Sequence, residues 1–254
     1  MKWNVDEERY KKACLDITKS DLKDFKRHPD YIAYVGNDVR KYDVAKNFYD
    51  YIKRYYVWLM EHLPKILSND TIGNPVVHDL GEHKASAGTL RFAKVVGDLE
   101  KFFGSLDGLN IVEIGSGYGG QCKVIHDVYE PKFYSLVDIF ESTRLAFRYL
   151  NKFGLLNKIR TITPKKLLDE SVYCDLVISD YALSEFDDEL VDFYIKEIIK
   201  DSKYGYFTVN IFNQGKLDKF VEKLRDIYKD VLVLKEMPKT SHHDNHIIIC
   251  KNGK

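Results

Sequence analysis

The stretch "NIVEIGSGYGGQC", Asn110 to Cys122, holds four glycines within six residues, directly after a short apolar run. Bare backbone where a strand hands over to a helix exposes N–H groups that hold an anion or the polar end of a cofactor. Gly115 permits a sharp turn, and Gly117 lets the backbone approach a ligand with no Cβ in the way. Gly119 and Gly120 let the following helix pack closely. The spacing Gly115-x-Gly117-x-x-Gly120 satisfies a dinucleotide-binding fingerprint. A second predicted strand ends at Asp138, 23 residues after Gly115, where an acid at a strand tip meets a ribose diol. Two plainer readings stand beside these: a tight structural turn for the glycines, and a cap on the helix starting near Ser142 for Asp138.

Groups able to take a proton gather at three places. "SDYALSEF" follows a predicted strand and sets Ser179, Asp180 and Tyr181 at its ligand-facing end. Asp180 or Glu185 serves there as a base, or Glu185 caps the helix near Asp187. The irregular "HDLGEHKAS" brings His83, Glu82 or His78 over the cleft, or leaves surface histidines with no role. His242, His243 and Asp244 lie between the last two strands. They touch a substrate or bind a metal, but no metal ligand set is assigned.

The elements that must position these residues differ between two regions. Residues 1–105 show helical spacing. Helices are expected over Asn4 to Arg27, Asp43 to Leu67 with a kink at Pro64, and Ser86 to Phe103, with "HPDYIAYVG" (His28 to Gly36) as an interruption. The aromatic-rich helix over Tyr42 to Trp58 is read first as a packing surface. From residue 106 the pattern alternates. Strands are expected at 110–114, 133–138, 158–162, 174–179, 204–211, 230–236 and 245–250, with helices at 119–129, 141–153, 187–200 and 214–228. Such alternation predicts an α/β fold with a parallel sheet covered on both faces. Only "MPKTSHHD" separates the last two strands, too short for a crossover helix, so the last strand returns antiparallel.

Composition narrows the class. Lys plus Arg and Asp plus Glu number 39 each in 254 residues, which argues against a nucleic-acid partner. Cys14, Cys122, Cys174 and Cys250 form no CxxC pair, so free buried thiols in a reducing compartment are expected. The N-terminus lacks the apolar core of a signal peptide, and no apolar run is long enough to span a membrane, so a cytoplasmic protein is expected. Oligomeric state is left open.

Glu113 separates the cofactor classes. Nicotinamide-binding loops usually carry an apolar residue two positions before the first glycine, whereas here an acid gives E-x-G-x-G-x-G. Residues 108–250 resemble the S-adenosyl-L-methionine (SAM)-dependent methyltransferases with a seven-stranded Rossmann-like sheet and an antiparallel last strand. The resemblance implies SAM as cofactor, with Glu113 near its ammonium end and Asp138 on its ribose. It implies cofactor contacts from Gly115, Ser116, Gly117, Tyr118, Gly119, Ile139 and Ser179. It further places Thr163 and Lys165 at the adenine edge and Arg91 at the cofactor carboxylate or an acceptor phosphate. "IVEIGSGYGGQCKVI", "DLVISDYALSEF" and "GNPVVHDLGEHKASAGTLRFA" resemble segments of the sugar O-methyltransferases. That resemblance implies methyl transfer to a hydroxyl of a glycan or nucleotide sugar. The group's S-N-Y-A-x-S-E run carries Asp180 here in place of Asn. The N-terminal region is then expected to lid the methyltransferase domain. Three rival readings remain: another small-molecule or protein acceptor, an NAD-dependent oxidoreductase, and a non-catalytic protein that keeps the fold.

Overall fold

The computed structural model describes residues 6–35, 40–210, 214–240 and 245–252. Its elements run α1 (Glu7–Lys19), α2 (Pro29–Val35), α3 (Tyr42–Tyr55), α4 (Leu63–Ile66), β1 (His78–Asp79), β2 (Lys84–Ala85), α5 (Ala87–Phe103), β3 (Asn110–Ile114), α6 (Gly120–Val128), β4 (Phe133–Val137) and α7 (Phe140–Asn151). They continue with β5 (Ile159–Ile162), β6 (Leu176–Asp180), α8 (Ala182–Glu185), α9 (Asp188–Glu197), β7 (Tyr204–Val209), α10 (Gln214–Arg225), β8 (Asp230–Lys235) and β9 (His246–Lys251).

Strands β3 to β9 form a seven-stranded sheet in the order β5-β4-β3-β6-β7-β9-β8. The first five in that order are parallel, and β9 runs antiparallel to both neighbours, as the short link before it requires. Alternation along the strands feeds two cores. Ile111, Leu176, Ile178, Tyr206 and Ile249 join α5, α6, α7 and the N-terminal helices in one core. Val112, Val177, Phe207 and Ile248 join α9 and α10 in the other. The helical region therefore shares a core with one face of the sheet. Asp98 of α5 ties the two together. It pairs with Lys94 at 2.7 Å, accepts from the Tyr206 hydroxyl of β7 at 2.6 Å, and accepts from the Tyr56 hydroxyl after α3. All four cysteines are buried and free, and no helix among the described residues is long and apolar enough to cross a membrane.

The N-terminal expectations need correction at three places. The first helix ends at Lys19, not Arg27, because the Ser20 hydroxyl bonds back to the Ile17 carbonyl at 2.8 Å and Leu22 takes φ +59°. The supposed interruption is itself a helix, α2: Pro29 sits at its first position, where the missing N–H costs nothing. The long helix over Asp43 to Leu67 stops at Tyr55, because Tyr56 leaves helical geometry (φ −130°, ψ 50°) as its ring turns toward Asp98. Pro64 then lies inside the start of the short α4 rather than at a kink. The first of these expected helices begins before Asp6, and that beginning lies outside the described residues, as do Gly36 and Ile211.

Candidate active site

The strand register brings the carboxyl ends of the central strands level, with Ile114 opposite Val137 and Asp180 opposite Thr208. Ligands of open α/β sheets bind at this edge. A cavity of about 340 Å³ lies there. Its wall includes Glu113, Gly115, Ser116, Gly117, Tyr118, Asp138, Ile139, Asp180, Tyr181, Glu185 and Arg91, so eleven of the residues singled out from sequence meet in one place.

Glycine is required in the loop between β3 and α6 for two separate reasons. Gly115 has φ +76°, and a Cβ there would lie 2.2 Å from the Ala182 Cβ. Gly117 has φ +52°, and its N–H donates to Asp138 Oδ2 at 2.8 Å. Its carbonyl accepts from the Ser142 hydroxyl at 3.0 Å, and that hydroxyl lies 3.2 Å from the Tyr10 hydroxyl of α1. The loop is thus pinned from the second strand and from the N-terminal helix. Gly119 and Gly120 serve packing, as expected. A Cβ on Gly119 would sit 2.9 Å from Leu150, and one on Gly120 would sit 2.4 Å from the Phe92 ring. Gly119 does not line the cavity.

Of the acids of the site, Glu113 and Asp138 are buried and Asp180 is half-buried. Glu113, in β3, accepts from the Tyr134 hydroxyl at 2.8 Å. Burial holds its carboxyl well above the usual range; Tyr134 opposes this, and Asp180 and Asp138 add to it. Burial also pushes Asp138 up to about 6, against the N–H groups of Gly117 and Ile139 that favour its ionised form. Asp138 does not cap α7, whose N-cap is Ile139. Asp180 accepts from the Thr208 hydroxyl at 2.7 Å through Oδ1, while Oδ2 is buried with no partner. Its carboxyl is raised by burial, with Thr208, Arg91 and Lys94 acting the other way. The buried ion pairs among the described residues, Lys94–Asp98 and Lys123–Asp127, lie away from this wall. Three carboxyls therefore face one cavity with no salt bridge of their own among the described residues.

Other polar atoms there are incomplete as well. Tyr31 OH, Arg91 Nε, Ser116 Oγ and Asp180 Oδ2 are all buried without a partner, and all four residues line the cavity. Buried polar atoms are nearly always paired, so such a cluster marks where a polar ligand completes the bonding. Arg91 is set by the start of α5. Ser86 caps the helix through the Thr89 N–H, and Asp70 accepts from the Ser86 N–H at 2.8 Å, the Ser86 hydroxyl at 2.7 Å and the Thr89 hydroxyl at 2.6 Å. The Arg91 guanidinium carbon lies 5.3 Å from the centroid of the Tyr181 ring.

The N-terminal region was expected as a lid, but none of the side chains that residues 7–40 bring to the wall was named for the site from sequence. Tyr10, Lys26, Tyr31, Tyr34 and Arg40 all line the cavity. Lys26 Nζ lies 5.0 Å from the Tyr118 ring centroid and 5.4 Å from that of Tyr149, and burial pulls its ammonium down to about 7, with Asp70 opposing and Lys123 reinforcing. Reading His28 to Gly36 as an interruption hid Tyr31 and Tyr34; the His-Pro pair that starts α2 was the available signal. Nothing local marks Lys26, whose aromatic neighbours come from distant elements.

Several expected residues stand apart. His83 lies in the turn of the β1–β2 hairpin, with Nδ1 3.1 Å from the Tyr49 hydroxyl, and is not on the cavity wall. Neighbouring Glu82 pairs with Lys53 at 3.1 Å. Pro164 reaches the wall where Thr163 was expected, and Ser179 is fully buried behind it. Glu185 is on the wall, and Asp187 caps α9 in its place. His242, His243 and Asp244 lie outside the described residues.

No protein-family model matches the sequence, and no curated protein does. Solved structures do match. Magnesium protoporphyrin IX methyltransferase from Synechocystis PCC 6803, solved with bound SAM, aligns with a TM-score of 0.52 at 17% identity, over 63% of this chain and 78% of that one. A protein from Methanococcus maripaludis described as an SAM-dependent methyltransferase aligns with a TM-score of 0.51 at 15% identity, over 63% and 84% of the two chains. One from Nostoc punctiforme PCC 73102 described as an O-methyltransferase gives a TM-score of 0.51 at 12% identity, over 63% and 55%. At such identities the likeness is one of fold. The chain therefore has the Rossmann-like, seven-stranded fold of the class I SAM-dependent methyltransferases.

Proposed function

We propose that this protein transfers a methyl group from SAM to a hydroxyl of a sugar, in a glycan or a nucleotide sugar. One observation carries the reading: Glu113 and Asp138, both buried, and Asp180, whose Oδ2 is buried without a partner, face a single cavity with no salt bridge among the described residues. A ligand with positive charge and hydroxyl donors suits that wall, and SAM has an ammonium, a sulfonium and a ribose diol. Its carboxylate suits the Arg91 guanidinium, whose Nε is buried without a partner. In this reading Glu113 holds the ammonium and Arg91 the carboxylate. Asp138 takes the ribose hydroxyls while still bound to Gly117, and Ser116, Gly117, Tyr118 and Ile139 complete the seat.

When bound, SAM supplies a methyl group already activated on a sulfonium. The chain's own work is to orient the acceptor, exclude water and take one proton. Asp180 is the base best placed for this. Thr208 fixes one oxygen, the other has no protein partner, and burial makes the carboxyl a stronger proton acceptor than an exposed aspartate. Glu185, on the same wall, is the second candidate. Residues 1–105 act as a lid and substrate region over residues 106–254, closing the cavity with Tyr10, Tyr31 and Tyr34. The sugar rests on the resemblance of the Tyr118-Gly119-Gly120 and "SDYALSEF" segments, and the tyrosine-lined wall suits the faces of a sugar ring.

The test is transfer of labelled methyl from SAM to a panel of nucleotide sugars and methyl glycosides. Label on a sugar oxygen supports the reading. Tight binding of S-adenosylhomocysteine with label appearing only on amines or thiols would refute the hydroxyl acceptor.

A further inference from the structure

The cavity contains a phenol whose polarity is fixed by its neighbours. Tyr181 follows Asp180 directly and lines the same wall. Its backbone sits at φ +67°, a left-handed conformation that a bulky residue adopts only when its surroundings impose it. The impositions are visible. Its N–H donates to the Thr208 carbonyl at 2.7 Å, and its carbonyl accepts from the Ser184 hydroxyl at 2.6 Å. Its ring lies beside the Arg91 guanidinium, and its hydroxyl donates to Glu236 Oε1 at the end of β8. Glu236 is itself 5% exposed and is held through Oε2 by the Thr240 hydroxyl at 2.8 Å and the Asn245 amide at 2.9 Å. Thr240 and Asn245 are in turn linked at 2.9 Å.

A tyrosine has one proton to give. Here that proton is committed to a carboxylate, which can only accept. To any ligand that reaches it the phenol oxygen is therefore an acceptor alone, and the preceding residue of the same wall carries the free Oδ2 of Asp180. Two acceptors offered by consecutive residues of one wall suit two hydroxyl donors on one ligand. We propose that Tyr181, oriented by Glu236, is a specificity-determining residue that selects an acceptor with a second free hydroxyl beside the one that is methylated. This inference rests on the methyl-transfer reading above and narrows its substrate to a diol: Asp180 takes the proton of one hydroxyl, and Tyr181 accepts a hydrogen bond from its neighbour. An acceptor without the neighbouring hydroxyl leaves the phenol oxygen unpaired, and sites built around a hydrogen bond discriminate strongly against that.

The experiment compares each sugar methylated in the panel with its monodeoxy analogue lacking the neighbouring hydroxyl. It uses wild type, Tyr181→Phe and Glu236→Gln. Wild type is expected to favour the diol by about tenfold or more in kcat/KM. Tyr181→Phe should bring the diol down to the level of its deoxy analogue, mainly through KM, so that the preference falls to about one. Glu236→Gln offers an amide N–H to the phenol and frees the Tyr181 proton to point into the cavity, so the diol KM should rise there too. Both variants should keep the wild-type Kd for S-adenosylhomocysteine, which reports intact folding. If Tyr181→Phe keeps the full diol preference, or wild type shows none, the assignment of Tyr181 is wrong. If wild type binds S-adenosylhomocysteine but methylates no sugar, the underlying hydroxyl-acceptor reading fails, and the diol selection fails with it.

Discussion

Asp138 offers a quantitative test of how the cavity receives its ligand. Burial raises its carboxyl to about 6, while its bonds from Gly117 and Ile139 favour the ionised form. Ribose hydroxyls donate best to the ionised group, so binding should pull the proton off. With a free-state value of about 6, the ionised fraction is roughly 0.9 at pH 7 and 0.1 at pH 5. The Kd for S-adenosylhomocysteine should therefore weaken by about tenfold, or about 1.4 kcal/mol, over that interval. The sign is set by the raised value: the share of the affinity that Asp138 supplies is complete above about pH 7 and is lost as pH falls through 6. Near pH 6 binding should also release about half a proton from Asp138. Glu113 and Asp180, raised in the same direction, would add to that release and not oppose it. Calorimetric titrations from pH 5 to 8, in buffers of different ionisation enthalpy, measure both quantities. A Kd flat across that range, or net proton uptake, would refute the role given to Asp138.

Other expectations follow from single contacts. Gly115→Ala must hold a Cβ 2.2 Å from the Ala182 Cβ at φ +76°, so urea unfolding should show a loss of about 2–4 kcal/mol from strain and overpacking together. Tyr206→Phe removes a 2.6 Å hydrogen bond to buried Asp98 and should cost about 1–3 kcal/mol in the same assay, with binding of S-adenosylhomocysteine retained. Asp180→Asn should lower kcat for methyl transfer by about 10²–10⁴ while changing the S-adenosylhomocysteine Kd far less; an unchanged kcat would move the role of base to Glu185.

The sheet was legible because each strand is a short apolar run bounded by turn residues, and one eight-residue link forced the last strand to reverse. The cavity-lining edge was legible because glycines and strand-end acids act locally: Glu113, Gly117 and Asp138 meet within one strand–loop–helix unit and its neighbour. The N-terminal region was less so. Tyr56 ends α3 through a bond to Asp98, more than forty residues away in sequence, and helical spacing carries no sign of that. His83 attracted attention as a loop histidine, yet its position follows from pairing in a two-residue hairpin and from Tyr49, which periodicity does not reveal. The Tyr181–Glu236 bond joins the residue after β6 to the short link between β8 and β9, so only the assembled sheet discloses it.

The central claim is that the buried carboxyls of this cavity are built for SAM. Calorimetric titration with S-adenosylhomocysteine, beside a parallel titration with NAD, tests it most directly. The account predicts micromolar binding of S-adenosylhomocysteine, abolished by Asp138→Ala, and none of NAD. Tight NAD binding with no response to S-adenosylhomocysteine would contradict it and return the glycine loop to a nicotinamide cofactor.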